Sequence, residues 1–220
     1  MAVAAMVEPG SPMAPVAGPA AATSSVILAS GSRFRAAMLR AAGVPFTVLV
    51  PGVDEAAVRE SLGAEGATAE DVAIALGELK AVAVSRRHPD ALVIGSDQML
   101  DCNGVWFEKP VDRDHARASL TALAGRDHRL VTSAVVTRGG ERIWHVSQSV
   151  RMRMRPLSED FIDRYLDAVG DDVRSSVGAY QLEGLGAQLF TAVEGDYFTV
   201  LGLPLLPLLD FLRVHGVLAR

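Results

Sequence analysis

The sequence holds a single cysteine, Cys102, among 220 residues. One thiol forbids an intrachain disulfide and any multi-cysteine zinc site, and it suits a reducing compartment. Nowhere do five like charges stand together, and 21 basic against 26 acidic residues leave a net charge of −5. A dedicated duplex-DNA surface is basic, so nucleic acid is not the expected partner. A membrane span is missing too. The most apolar stretch, Phe198 to Leu212, is interrupted by Gly202, Pro204, Pro207 and Asp210, well short of ~20 clean apolar residues. The N-terminus does not read as a secretory signal, because it has no early Lys or Arg and Glu8, Pro9, Gly10, Pro12 and Pro15 break its apolar run. The expected location is the cytoplasm.

Several catalytic signatures are also absent. There is no Gly-x-x-x-x-Gly-Lys-Ser/Thr loop, no nucleophile elbow and no Ser-His-Asp order. His88, His115, His128, His145 and His215 are scattered, with no pair at metal-ligand spacing.

Half of the residues are hydrophobic, enough to bury a sizeable core and to exclude a disordered or fibrous chain. Residues 1–24 are mostly Ala, Pro, Gly and Ser without a basic residue, and read as a disordered extension. One folded domain is expected over residues 25–220. Val26-Ile27-Leu28-Ala29 reads as a buried strand. Ser32 caps a helix through Ala42, with Gly43 as its stop. Phe46 to Val50 reads as a second strand. Thr68 with Asp71 resembles a capping box before Val72, Leu76, Leu79 and Val82 at helical spacing. Ala91 to Gly95 is a further strand, and Asn103-Gly104 marks a hairpin between Met99–Asp101 and Val105–Phe107. A helix over His115 to Ala124, long strands flanking Gly139-Gly140, a Met/Arg alternation over Val150 to Arg155, and a helix capped by Ser158 follow. Pro204 opens a closing helix to about Val217. Interleaved strands and helices make the class α/β with a mixed sheet.

Three groups of residues can do chemistry. Ser30-Gly31-Ser32 lies between a strand and a helix start, where free backbone N–H groups, two hydroxyls and the helix dipole favour an anion, with Arg33 and Arg35 adding charge. The plainer reading is an ordinary serine cap with surface arginines. Asp97 follows the apolar strand Ala91 to Ile94, at the carboxyl end where ligands of open α/β sheets sit. A carboxylate there holds Mg²⁺ or takes a proton from water, and Glu55 after the second strand is a similar case. The plainer reading is an Asp that opens a turn. Lys80, between Leu79 and Val82, can snorkel from a partly buried helix face, and Lys109 is set by the following Pro110. Solvated surface charge is the alternative for both.

These fragments, in this order, resemble the Maf family of nucleoside triphosphate pyrophosphatases. The match runs from about Ser25 to Gly216. Its marks are Leu28-Ala29-Ser30-Gly31-Ser32 with Arg35, Phe46 leading to Val53-Asp54-Glu55, Lys80-Ala81, Ile94-Gly95-Ser96-Asp97-Gln98, Lys109-Pro110, and Gly125-Arg126 with His128. The C-terminal part adds Gly178-Ala179-Tyr180, Glu183-Gly184, Glu194-Gly195-Asp196-Tyr197 and Gly202-Leu203-Pro204-Leu205.

The resemblance implies a bent mixed sheet flanked by helices around a central nucleotide cleft, of the Maf and inosine-triphosphatase-like kind, commonly in homodimers. It implies hydrolysis of a nucleoside triphosphate to the monophosphate and pyrophosphate with a divalent cation, Mg²⁺ or Mn²⁺. By position, Asp97 is the implied catalytic base with Glu55 assisting the metal or water. Ser30, Ser32, Arg35, Lys80 and Lys109 would hold the phosphates. Which carboxylate binds metal and which takes the proton stays open at this point.

Three positions separate subgroups of this family, and here they are Phe34, Gln98 and Glu183. An aromatic residue, Gln and Glu there resemble the members acting on 7-methyl-GTP, whereas pyrimidine-preferring members carry Arg, Thr and Gln. The physics agrees: a cationic 7-methylguanine stacks on an aromatic face, Glu183 accepts from the guanine N1–H and amine, and Gln98 adapts as donor or acceptor. The competing reading puts Phe34 in the core, four residues before Met38. Other readings are dTTP or UTP hydrolysis, which Glu183 opposes, an inosine-triphosphate pyrophosphatase, and a nucleotide-binding regulator of cell division. One departure from the family pattern is Arg33 in place of the usual proline, a cation that repeats or competes with Arg35.

Overall fold

The run Val26-Ile27-Leu28 is apolar at every position because the strand it forms, β1 (Val26–Leu28), is covered on both faces. The computed structural model describes residues 25–219, so the extension expected over 1–24 lies outside the described residues. β1 pairs in parallel with β2 (Thr47–Val48) on one side and β3 (Leu92–Cys102) on the other. Beyond β3 the pairing turns antiparallel, through β5 (Asp127–Arg138), β6 (Glu141–Met154) and β7 (Phe190–Glu194), while β4 (Val105–Phe107) folds back on the end of β3. The result is an open mixed sheet of seven strands, as expected of an α/β chain.

Local chemistry explains most element ends. Ser32 caps α1 (Arg33–Ala41), and the capping box of Thr68 and Asp71 opens α3 (Ala69–Ser85). Asn103 and Gly104 both take positive φ, the geometry that a two-residue hairpin turn needs. In the Met/Arg alternation of β6, Val150, Met152 and Met154 are buried and Arg151 and Arg153 face solvent. Those apolar side chains pack under α4 (Arg113–Leu123) and α5 (Glu159–Val169). On the other flank, α1 and the closing helix α7 (Leu205–Val214) enclose Leu28, Ile94, Leu39 and Leu208.

The structure corrects four readings. The second strand shrinks from Phe46–Val50 to Thr47–Val48, because β2 is the sheet's edge and its residues face solvent. α7 stops at Val214 rather than Val217, with Pro204 just outside it. A helix unforeseen in the sequence, α2 (Glu55–Ala64), starts where Asp54 Oδ1 accepts from Ala57 N. It buries none of its residues and so carries no apolar stripe to be read.

The fourth correction concerns Asp97. β3 does not end at Gly95 but continues to Cys102, because β5 pairs with it along its length. Asp97 is therefore in mid-strand. The carboxyl end beside it belongs to β1, which stops at Leu28 opposite Ile94.

α3 lies unusually close to β3 at this level. A Cβ placed on Gly95 would stand 2.0 Å from Gly77 O and 2.9 Å from Ala81 N. That approach brings Lys80, one residue before Ala81, onto the strand at Asp97.

His128 is buried in β5 with Nε2 2.8 Å from Tyr180 Oη and, among the described residues, no partner at Nδ1. Burial pushes its imidazole down to about 4 from 6.5. The neutral ring is the folded form, so its contribution is present above pH 6.5 and is lost as pH falls towards 4, on the order of 3 kcal/mol at most. Urea unfolding at pH 7 and pH 4.5 checks this: a His128→Gln chain should lose less stability on acidification than the wild type.

Candidate functional site

A cleft of about 710 Å³ opens at the carboxyl end of β1, and all ten residues singled out in the sequence line it. α1, α3, β3, the start of α2, the segment after β4 and the turn after the 3-10 segment Val177–Ala179 each supply part of its wall.

At one end the β1–α1 junction is built to take negative charge. Ser32 Oγ caps α1 by accepting from Arg35 N (3.4 Å), and Ser30 Oγ accepts from Ser32 N (3.2 Å). Arg35 is buried. Its Nε donates to Gly202 O (2.6 Å) and its terminal nitrogen to Ser30 Oγ (3.1 Å). Among the described residues it forms no salt bridge, so a buried cation waits beside a helix N-terminus, the arrangement that favours phosphate. Burial pushes its guanidinium down, and the charges of Asp97 and Glu55 counter that.

The same cleft holds a triad of buried Lys80 and Asp97 with half-buried Glu55. Lys80 Nζ lies 2.7 Å from Asp97 Oδ1 and 2.8 Å from Glu55 Oε1. The two carboxylates, 42 residues apart in sequence, thus share one ammonium. Among the described residues, Asp97 Oδ2 is buried with no hydrogen-bond partner. For Glu55, burial acts to raise its carboxyl, but Lys80, then Arg59 and Lys109, outweigh burial and hold it below its ordinary value. Lys109 rises at the rim. Desolvation in the cleft, then Arg35, lower its ammonium, and Lys80 adds to the effect.

The sequence reading missed Arg59, which pairs with Glu108 at 2.7 Å and with Glu55 at 3.4 Å. Its spacing of four from Glu55 was the available signal. Lys80 is in the cleft as expected, but it holds the two carboxylates rather than standing free.

Phe34, on the first turn of α1 between Ser32 and Arg35, is half-buried on the cleft wall, while Met38 belongs to the core. The core reading of Phe34 is therefore set aside. Arg33 neither doubles nor opposes Arg35: it turns to Asp172 (2.7 Å) and lies 4.9 Å over the Phe34 ring. Glu183 is exposed on a turn whose Gly184 N donates to Gln181 O. Gln98 is part-buried, and its amide nitrogen donates to Thr132 Oγ1 (2.9 Å), Thr199 O (2.9 Å) and Val200 O (3.1 Å).

Among the described residues, no group of three or more His, Cys, Asp or Glu gathers to hold a metal ion. Asp97 and Glu55 are two hard oxygen donors. Lys80 bridges them and Arg59 lies 3.4 Å from Glu55, so a cation that completes its shell with phosphate oxygens and water would share these carboxylates with Lys80. Among the described residues no helix is long and apolar enough to cross a membrane.

Among known proteins, the family described as Maf-like protein matches residues 25–215. A nucleoside triphosphate pyrophosphatase of Paramagnetospirillum magneticum is 59% identical over 192 residues, covering 87% of this chain and 99% of that protein. One of Rhodospirillum rubrum is 53% identical over 193 residues, with 88% and 96% covered. A 7-methyl-GTP pyrophosphatase of Rhizobium meliloti is 49% identical over 193 residues, with 88% and 97% covered.

Proposed function

This chain belongs to the Maf family and is a nucleoside triphosphate pyrophosphatase, and on that premise we propose that it prefers 7-methyl-GTP, with Asp97 as its catalytic base. The observation that carries the reading is one cleft lined together by buried Arg35, which forms no salt bridge among the described residues, by the Phe34 ring and the Glu183 carboxylate, and by the Asp97–Lys80–Glu55 cluster.

The polyphosphate would lie against the α1 N-terminus, where Ser30, Ser32 and Arg35 meet its oxygens, with Lys109 neutralising further charge while Lys80 stays with Asp97 and Glu55. Water attacks the α-phosphorus, the new P–O bond forms, the α–β bridging bond breaks, and pyrophosphate leaves. Asp97 Oδ2, buried and unpartnered, takes the proton of that water. Glu55, held ionised by Lys80, with Asp97 beside it, would hold Mg²⁺ or Mn²⁺; such an ion would offset charge on the phosphate oxygens.

The base preference rests on three side chains, Phe34, Gln98 and Glu183. Phe34 offers a ring to a cationic 7-methylguanine, a contact of ~0.5–2 kcal/mol. Glu183 accepts from the N1–H and exocyclic amine together, a pair of donors that uracil and thymine do not present. Relatives from Rhizobium meliloti and Mesorhizobium japonicum, each 49% identical, carry the 7-methyl-GTP name, while more similar ones carry the general name.

Pyrophosphate release with Mg²⁺ from 7-methyl-GTP, GTP, ITP, dTTP and UTP tests the proposal. The expected result is the highest kcat/KM on 7-methyl-GTP, and a Glu183→Gln chain that loses about tenfold of its margin over UTP, the effect of one charge-assisted hydrogen bond. A preference for dTTP or UTP would reject the base assignment alone. Absence of turnover with nucleotide still bound would reject the enzyme reading and favour a binding regulator.

A further inference from the structure

The cleft's base end contains a device that the three base-contacting side chains do not explain: the three acceptors gathered on the Gln98 amide nitrogen. Two are backbone carbonyls, of Thr199 and Val200, at 2.9 and 3.1 Å. A carbonyl only accepts, so the nitrogen end of the carboxamide must face them. The third is Thr132 Oγ1 at 2.9 Å.

A hydroxyl carries one proton, and Thr132 uses it on Thr199 O (3.0 Å). Its oxygen therefore offers Gln98 lone pairs alone. Thr132 is fully buried, and it stands directly opposite Gln98 in the β3–β5 ladder. It is also the one acceptor of the three that belongs to the sheet. The two carbonyls come from the turn around α6 (Tyr197–Val200), which Asp196 secures by accepting from Thr199 N at 2.7 Å.

We propose that Thr132 is a positioning residue that, through this directed chain of hydrogen bonds, locks Gln98 so that only its amide oxygen meets the nucleotide base. Gln98 then does not adapt as donor or acceptor; it is an acceptor. With the Glu183 carboxylate, the base end offers acceptors from two sides and selects bases whose edge supplies two donors. Guanine does so with its N1–H and amine; uracil and thymine offer one N–H between two carbonyls. This inference rests on the proposed placement of the base in the cleft, and it adds why the site is one-signed.

The test uses the full chain. Thr132→Val keeps the shape of the side chain and removes the hydroxyl; Thr132→Ser restores the hydroxyl. In ¹⁵N-labelled protein, the Gln98 side-chain amide protons should exchange with solvent about tenfold faster in Thr132→Val than in the wild type, and Thr132→Ser should return them to slow exchange. Calorimetric binding of GMP and UMP should show the ratio of their Kd values falling about fivefold in Thr132→Val, with Thr132→Ser close to wild type. Unchanged exchange or an unchanged ratio overturns the proposal.

Should Thr132→Val not fold, Gln98→Glu decides. Its inward oxygen would face three acceptors, so Tm should fall, yet the outward atom remains an oxygen and the preference for GMP should persist. A preference turned towards UMP overturns the proposal. Both readouts are independent of turnover, so a wild type that releases no pyrophosphate would sink the proposed function while the amide exchange and the Kd ratio still judge Thr132.

Discussion

Asp97→Asn is expected to lower kcat for pyrophosphate release by about a thousandfold, within the 10²–10⁴ range typical of a lost general base. The amide has nearly the carboxylate's shape but cannot take a proton from water. Lys80 keeps Glu55 as its ion partner at 2.8 Å, so the buried ammonium is not left alone and the cleft keeps its form. KM should move little, because in the proposed mechanism Asp97 acts on the attacking water rather than on the base or the outer phosphates. Circular dichroism and thermal unfolding separate this from misfolding. A variant that folds and retains more than a tenth of wild-type kcat would remove Asp97 from the role of base and leave Glu55 as the candidate.

Gly95→Ala should unfold more easily than the wild type by about 2 kcal/mol or more, the scale of forced overpacking in a close-packed interior. The added Cβ would meet Gly77 O at 2.0 Å and Ala81 N at 2.9 Å. Both are backbone atoms of α3, so no flexible side chain can swing aside to accept it, and the helix itself must move. Lys80 sits on that turn and would be carried away from Asp97. The expected result is therefore a double loss, in urea midpoint and in the activity of the folded fraction. Gly52→Ala is the control: its position is exposed, has open space around it, and should change stability by less than ~0.5 kcal/mol. If Gly95→Ala matched Gly52→Ala in stability, the close approach of α3 to β3 would not be required for the fold.

Much of the architecture was legible because its signals act over a few residues. Ser32, the Thr68–Asp71 box, Asn103-Gly104 and the Met/Arg alternation each report their own element, since a cap or a turn is satisfied by atoms three or four positions away. α2 escaped the same reading because an exposed helix without an apolar stripe carries little periodicity. The length of β3 escaped it because a strand continues for as long as a neighbour pairs with it, and that neighbour, β5, begins 25 residues after Cys102 at Asp127.

The candidate site divides along the same line. Its residue types and their order, from Ser30 to Glu183, stand in the sequence and pointed to a phosphate-cleaving cleft through the resemblance they carry. Their electrostatic partners were not. Lys80 appeared as a solvated or snorkelling charge, and becomes the shared counter-ion of Asp97 and Glu55 only when α3 is laid on β3 through Gly95. Arg33 looked like a second phosphate cation, and finds Asp172 across 139 residues of chain. Gln98 looked able to donate or accept, and its amide nitrogen is held by Thr132 across the β3–β5 ladder and by carbonyls 101 and 102 residues away. Which chemical groups exist, and which local elements carry them, follows from the residues alone, because those depend on side-chain type and on neighbours within a turn. The tertiary structure alone decided which group faces which. Hydrogen bonds and ion pairs are fixed by distances of a few ångström, and only the order and register of the strands bring such distant residues that close.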